Sequence, residues 1–368
     1  MSGDGEAGPA VFALVTGGGT GGHVYPALAL ADELVGRGHP VPTIRFVGAR
    51  RGLEARVVPE AGFAIDLLPG RGLQRRFTLA NLAALWENLQ AFVRSRRIVR
   101  RARPRVVVGV GGYASLPCLV AARLRRVPAV VHEQNAAPGL ANRLAVRMGA
   151  RAAISLPGTP LRDSILTGNP IRPEIVAVRR APSTPPLVAV VGGSLGAGRL
   201  NEAAIGLYER WRDRDDVAVH HVSGARNYDQ CAGALAAVRE PGDRLAYELV
   251  PYEDHMDGLY ARTTLALCRA GAVTVAELAA AGVPSILVPL PGAPGDHQTR
   301  NASSMVDAGA AVLLPDDECD GARVEAVASE LIADRGRLDA MEKAARTLAR
   351  PDAAARLADL VEEVAGAR

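Results

Sequence analysis

Val11-Phe12-Ala13-Leu14-Val15-Thr16 runs directly into Gly17-Gly18-Gly19-Thr20-Gly21-Gly22 and then His23. The apolar run has the length of a buried strand, the glycine cluster makes a turn, and apolar residues at helical spacing take over from about Val24. The same order returns half a chain later, where residues 187–191 are apolar, residues 192–198 read Gly-Gly-Ser-Leu-Gly-Ala-Gly, and a helical pattern follows from about Arg199. Two strand, turn and helix units so far apart predict two doubly wound α/β domains of similar build.

Further apolar runs at 44–48, 64–68, 106–110 and 129–132, then at 217–222, 265–268 and 285–289, alternate with helical stretches. That alternation is the pattern of parallel sheets with right-handed crossovers. Between the two halves lie Pro157, Pro160, Pro170, Pro173, Pro182, Pro185 and Pro186, which resist regular structure and suit a connection. The expected domains are therefore 1–170 and 171–350, and residues 335–367 close the chain as one or two helices.

Length and composition agree with two domains, since 368 residues exceed a single core of about 100 to 200. Hydrophobic content of 48% with only 4% aromatics makes Ala, Val, Leu and Ile the core residues, as buried parallel strands require. The net charge is +4 and the pI about 9.1, but Lys343 is the only lysine, so the excess is arginine throughout and only local clusters of it carry meaning. No nucleic-acid partner is expected. Cys118, Cys231, Cys268 and Cys319 are too far apart for a zinc site or a redox dithiol and fit a reduced cytosolic protein. Neither a basic signal-peptide start nor an unbroken apolar stretch of membrane-spanning length is present.

The first loop satisfies GxGxxG through Gly17, Gly19 and Gly22, which raises a dinucleotide site. The second strand is followed by Ala49, Arg50 and Arg51 rather than an acid, which disfavours NAD and leaves NADP open. The loop also lacks the GK[ST] of a nucleotide-triphosphate loop. What remains is a bare-amide turn at a helix N-terminus, suited to phosphate or pyrophosphate. His23, at the start of that helix, can accept a proton near neutral pH and is the first candidate base, with Glu133 second. Gly111-Gly112-Tyr113 and His132-Glu133-Gln134-Asn135 follow strands, where open α/β sheets bind ligands. In the second half, Ser194 can hydrogen-bond a phosphate oxygen, the amides near Ala272 to Thr274 can face a diphosphate, and Glu277 can accept from ribose hydroxyls. Asp213-Arg214-Asp215 has the form of a metal-binding DxD, yet its charged run reads as a solvated helix end, so no metal is expected.

Taken together, Gly-Gly-Thr-Gly-Gly-His at 18–23, Gly-Gly-Tyr at 111–113, His-Glu-Gln-Asn at 132–135, Gly-Asn-Pro-Ile-Arg at 168–172, Gly-Gly-Ser-Leu-Gly-Ala at 192–197 and Ala-Val-Thr-Val-Ala-Glu at 272–277 resemble the MurG-type N-acetylglucosaminyltransferase family, which makes lipid II. The resemblance implies a GT-B architecture, two Rossmann-like domains facing a cleft, with the closing helix 351–368 returned to the first. It implies transfer of GlcNAc from UDP-GlcNAc, with inversion, to the C4 hydroxyl of MurNAc in undecaprenyl-pyrophosphoryl-MurNAc-pentapeptide (lipid I), without a cofactor, at the cytoplasmic face of the membrane. By position it assigns the donor to Thr20, Gly21, Gly22, Asn135, Arg172, Ser194, Glu253 (through its backbone), Ala272, Val273, Thr274, Val275, Ala276, Glu277 and Gln298. The acceptor falls to Gly18, Gly19, Gly111, Gly112, Tyr113 and Asn142. Residues 289–298, proline- and glycine-rich, depart from the family's polar loop.

A UDP-GlcNAc 2-epimerase and an NADP-dependent oxidoreductase are the rival enzyme readings, and a nucleotide-binding regulator the non-catalytic one. Finally, Leu79, Leu82, Leu85, Trp86, Leu89, Phe92 and Val93 recur at helical spacing between Arg71, Arg75 and Arg76 on one side and Arg94, Arg96, Arg97, Arg100, Arg101 and Arg103 on the other. Such a helix either packs in a core or lies on an anionic membrane surface.

Overall fold

The computed structural model describes residues 10–69, 79–193 and 196–366, with the side chains of 79–85 also left aside. The chain divides into two compact units, residues 1–170 with 352–368, and residues 171–351.

The first unit holds a seven-stranded, wholly parallel sheet in the order β3-β2-β1-β4-β5-β6-β7. Its strands are β1 (Ala13–Thr16), β2 (Ile44–Ala49), β3 (Ala64–Leu68), β4 (Val106–Gly109), β5 (Ala129–Glu133), β6 (Arg151–Ile154) and β7 (Ser164–Leu166). β1 and β4 are buried at every position, which is why they read as unbroken apolar runs. One face is covered by α1 (Gly21–Gly36), α2 (Glu54–Glu60) and α14 (Ala353–Gly366), the other by α3 (Leu79–Ala102), α4 (Ser115–Leu124) and α5 (Leu140–Arg147).

α14 belongs to this unit because Leu357, Ala358, Leu360, Val361 and Val364 complete the core beside α1. Arg37, just past the end of α1, binds Asp359 at 2.6 Å and Glu362 at 2.8 Å and donates to the Ala355 carbonyl. Glu33, at 2.8 Å, and then these two acidic partners hold the guanidinium pKa above its ordinary value.

The second unit has a six-stranded parallel sheet ordered β10-β9-β8-β11-β12-β13. The strands are β8 (Leu187–Val191), β9 (Ala218–Val222), β10 (Ala246–Val250), β11 (Leu265–Cys268), β12 (Ser285–Leu287) and β13 (Ala311–Leu313). Its helices are α6 (Pro173–Val176), α7 (Gly198–Trp211), α8 (Tyr228–Val238), α9 (Met256–Arg262), α10 (Ala272–Ala281), α11 (His297–Asp307), α12 (Gly321–Ala333) and α13 (Arg335–Leu348). Asp320 and Asp334 cap α12 and α13 by accepting from Arg323 N–H and Arg337 N–H. Gly282 ends α10 in the left-handed conformation.

Two expectations need correction. β7 and α6 lie inside the proline-rich stretch read as irregular; Pro173 opens α6, where its missing N–H has no helical partner to lose. β6, β7, β10 and β13 were not among the expected strands, and three of them are only three or four residues long. All four cysteines are buried and free. Among the described residues no helix is long and apolar enough to cross a membrane.

Candidate active site

In the first unit the glycine-rich loop joins β1 to α1, and its amides are not all bare as expected. Gly17 N–H donates to the Val47 carbonyl, Gly18 N–H to the Gly111 carbonyl and Gly19 N–H to a carboxylate oxygen of Glu54 at 2.8 Å. The N–H groups of Thr20, Gly21 and Gly22 find no acceptor among the described residues. They sit at the N-terminus of α1, where the helix dipole favours an anion.

His23 follows on the first turn of α1, half-buried, with Nδ1 3.4 Å from Thr20 Oγ1. Its ring lies over Gly111, where a Cβ would stand 2.9 Å from Cδ2 and 3.0 Å from Nε2. Gly112, at φ +79, meets the loop more closely still, since a Cβ there would stand 2.1 Å from the Gly18 carbonyl oxygen. These two glycines are small because the β1 loop and the His23 ring occupy the space. Tyr113 donates to the Pro69 carbonyl at 3.2 Å, and burial pushes its phenol up to about 12.

The His-Glu-Gln-Asn run at the end of β5 mostly faces inward. His132 is buried, with Nε2 3.0 Å from the Gly168 carbonyl and Nδ1 3.1 Å from the Gln134 amide nitrogen. Gln134 also donates to the Val110 carbonyl at 2.9 Å, which ties the turn after β4 to β5. Glu133 accepts from Asn135 N–H and its side-chain amide with one oxygen, and from Gly139 N–H and the Asn142 amide with the other. Both oxygens are thus engaged in holding the turn that leads to α5. Glu133 and the equally buried Asn142 clasp the turn together, with the Asn142 side-chain oxygen left without a hydrogen-bond partner among the described residues.

In the second unit, β11 runs through Arg269-Ala270-Gly271 into α10, and buried Asn301 of α11 holds this turn by donating to the Ala270 carbonyl at 3.1 Å. Ala272, Val273, Thr274 and Ala276 are half-buried at the helix start, whereas Val275 points into the core. Glu277 is 6% exposed. It accepts from Arg172 Nη2 and from Tyr260 Oη, each at 3.2 Å. Burial raises its pKa, with Arg172 acting in the opposite direction.

Gln298 accepts from Leu290 N–H at 2.9 Å, tying the proline-rich loop to α11. Glu253 accepts from His255 N–H at 2.8 Å, and its other oxygen lies 3.2 Å from Nε2 of buried His220. Ser194 lies outside the described residues, but the loop around it is shaped by contact: a Cβ on Gly196, at φ +75, would meet Ser223 O at 2.5 Å and Asn227 Nδ2 at 2.3 Å. Behind that loop, Asn201 of α7 pairs with buried His221 at 2.9 Å, and the Tyr247 hydroxyl reaches the other ring nitrogen at 2.8 Å. In the DxD run, Arg214 forks onto Asp216 and Arg244 meets Asp215 at the surface. Among the described residues no group of three or more His, Cys, Asp or Glu side chains is placed to hold a metal ion.

Reading residues singly missed Glu54, Asn201, His221, Tyr260 and Asn301. All are partners of backbone or of other side chains brought close only by folding. Glu54 also bears on the dinucleotide reading, because the turn after β2 closes on this buried carboxylate and no acid is presented to a ribose there.

Burial holds His132 and His221 each down to about 4, so both are neutral in the folded chain. Unfolded histidine titrates near 6.5, so the stability these rings contribute is complete above about pH 6.5 and falls as pH drops toward 4. Unfolding free energies from urea titrations should therefore decline between pH 7 and 4.5, by about 2 to 3 kcal/mol per ring in its own unit. A His221→Asn variant should show a smaller decline; an identical one would show that this ring does not titrate on unfolding.

The two glycine loops have counterparts in known proteins. Residues 13–154 match the glycosyltransferase family 28 N-terminal domain and residues 187–357 the glycosyltransferase family 28 C-terminal domain. The chain belongs to glycosyltransferase family 28. A protein of Alkalilimnicola ehrlichii named UDP-N-acetylglucosamine--N-acetylmuramyl-(pentapeptide) pyrophosphoryl-undecaprenol N-acetylglucosamine transferase is 45% identical over 96% of this chain and 98% of its own length. A protein of the same name from Desulforudis audaxviator is 40% identical with the same coverage. The crystal structure of Acinetobacter baumannii MurG superposes with a TM-score of 0.76 at 29% identity, covering 96% of this chain and 99% of that one. The transferase thus has the two Rossmann-like parallel-sheet domains of the GT-B class.

Proposed function

We propose that this family 28 transferase moves N-acetylglucosamine from UDP-GlcNAc to the C4 hydroxyl of MurNAc in undecaprenyl-pyrophosphoryl-MurNAc-pentapeptide, with inversion, at the cytoplasmic face of the bacterial membrane. The observation that carries this is the near-full-length 45% identity to a transferase of that name. The arrangement of the two half-sites supports it.

The first unit takes the acceptor. The open amides of Thr20, Gly21 and Gly22, which the family resemblance gave to the donor, are read here as meeting a pyrophosphate oxygen of the acceptor, because they open at the N-terminus of α1 beside His23, and His23 accepts the proton of the MurNAc C4 hydroxyl. The freed oxygen attacks the anomeric carbon, the bond from that carbon to the diphosphate oxygen breaks, and the electron pair leaves with UDP. The second unit takes the donor. Ala272, Val273 and Thr274 present their N–H groups to the diphosphate, where negative charge grows in the transition state. Glu277 accepts from the ribose hydroxyls, oriented by Arg172 and Tyr260. Purified protein incubated with UDP-GlcNAc and a lipid I analogue should release UDP and form the β1,4 disaccharide. UDP-ManNAc formation, a nicotinamide absorbance change or binding without turnover would each overturn the assignment.

The membrane reading draws on α3. Its buried side is built from Ala91, Ser95 and Val99, while Trp86, Leu89 and Val93 are 62%, 52% and 40% exposed. Arg94, Arg96, Arg97, Arg100 and Arg101 are exposed beyond them. Apolar side chains can enter the interface there while guanidinium groups meet anionic headgroups, each worth about 1 kcal/mol near the surface. The protein should sediment with vesicles containing anionic lipid at low salt, and less so as salt rises. Trp86→Ser with Leu89→Ser should weaken this binding about tenfold or more without unfolding the chain; no vesicle binding by the wild type even at low salt would refute the interfacial role.

A further inference from the structure

Glu54 begins α2 and belongs to none of the sequence motifs. Its carboxylate is 2% exposed, and among the described residues no cation pairs with it. One oxygen accepts from Gly19 N–H at 2.8 Å and the other from Ala49 N–H at 2.7 Å. Glycines surround it. A Cβ on Gly18 would stand 2.2 Å from the carboxylate, one on Gly48 2.3 Å from Cγ, and one on Gly52 2.1 Å from an oxygen. Two separate turns, after β1 and after β2, are therefore kept bare to admit one buried anion, which is costly to bury unless hydrogen-bonded.

The opposite side of the β1 loop rests on Gly111 and Gly112, through the Gly18 N–H bond and the close approach at the Gly18 carbonyl. The loop is thus gripped from both sides, with the amides of residues 17–19 turned inward and those of residues 20–22 left open. We infer that Glu54 is a positioning residue: by drawing Gly19 N–H inward it fixes Thr20 as the helix cap and so sets the aim of the three open amides and of the His23 ring. Its consequence for turnover rests on the proposed acceptor role of this loop. Misplacement of a catalytic group by 1 Å can cost about 10²-fold.

Glu54→Gln keeps the shape but turns an NH2 group toward one of the two backbone N–H donors, so one bond becomes a donor–donor clash. The variant should lose tenfold or more in kcat/KM for a lipid I analogue, while its affinity for UDP, measured by calorimetry, stays within about twofold. Gly52→Ala presses on the same carboxylate from outside the loop, at a position free of left-handed strain, and should reproduce the loss. Amide exchange at residues 17–23, followed by mass spectrometry, should quicken in both variants whether or not the chain turns over. Wild-type kcat/KM in the folded variants, unchanged exchange, or a parallel loss of UDP affinity would overturn the inference. Quickened exchange in a protein whose wild type forms no disaccharide would sink the proposed function and leave the positioning role standing.

Discussion

Replacing His23 by alanine should lower kcat by roughly 10²-fold or more, the usual contribution of a positioned general base being about 10² to 10⁴. The ring is half-buried on the first turn of α1, and it contributes to neither apolar core of the first unit. A urea melt of the variant beside the assay separates any loss of stability from a loss of chemistry. Nδ1 faces the Thr20 hydroxyl at 3.4 Å and the opposite edge lies over Gly111, so the imidazole is held at the mouth of the same helix whose open amides await the acceptor's anion. Affinity for UDP should change little, because the groups proposed to hold the diphosphate and ribose, Ala272 to Thr274 and Glu277, belong to a different compact unit. A kcat within a few-fold of wild type would hand the proton to Glu133 or to solvent.

Glu277→Ala should weaken UDP-GlcNAc binding by roughly 1 to 3 kcal/mol, or about 5- to 150-fold, by removing the acceptor for the ribose hydroxyls. The same change leaves the buried Tyr260 hydroxyl without its partner and Arg172 without its carboxylate, so some stability is lost as well. Glu277→Gln separates the two effects. Its amide oxygen can still accept from Tyr260 or Arg172, so the fold should be closer to wild type while donor affinity remains reduced. Calorimetry with UDP-GlcNAc on the folded variants decides, and an unchanged affinity in both would remove Glu277 from the donor site.

The strands most plainly legible in the sequence are those buried along nearly their whole length. β1, β4, β8 and β11 read as apolar runs because both faces of each sheet are covered. β7 and β13 are three-residue strands at sheet edges, and too short to show a period. The glycine loops were visible through sheer frequency of glycine. What shapes them was not, because Glu54 lies 35 residues from Gly19 and only the tertiary fold brings them together. The His-Glu-Gln-Asn run shows a different limit: polar residues at a strand end read as ligand-facing, and the sequence does not show that His132, Glu133 and Gln134 are buried, Gln134 binding the His132 ring and the Val110 carbonyl and Glu133 the turn before α5. In α3 the period marked an apolar stripe, but not which neighbours cover it. Small residues, Ala91 and Ser95, make the close contact, and among the described side chains Trp86, Leu89 and Val93 stay outside.

The closing helix gives the chain an unusual order of assembly. The ribosome delivers β1 to β7 and α1 first, yet the piece that seals their sheet arrives only after some 180 further residues have been made. At about 5 to 20 residues per second, that is a wait of roughly 10 to 40 seconds. Through that interval the groove beside α1 that later receives Leu357, Val361 and Val364 stands open to water, and Arg37 has yet to meet Asp359 and Glu362. The second unit has no such dependence and can close on its own as it emerges. A nascent chain of this transferase therefore finishes its last-made domain before its first, and it is the first that is exposed to chaperones and to aggregation.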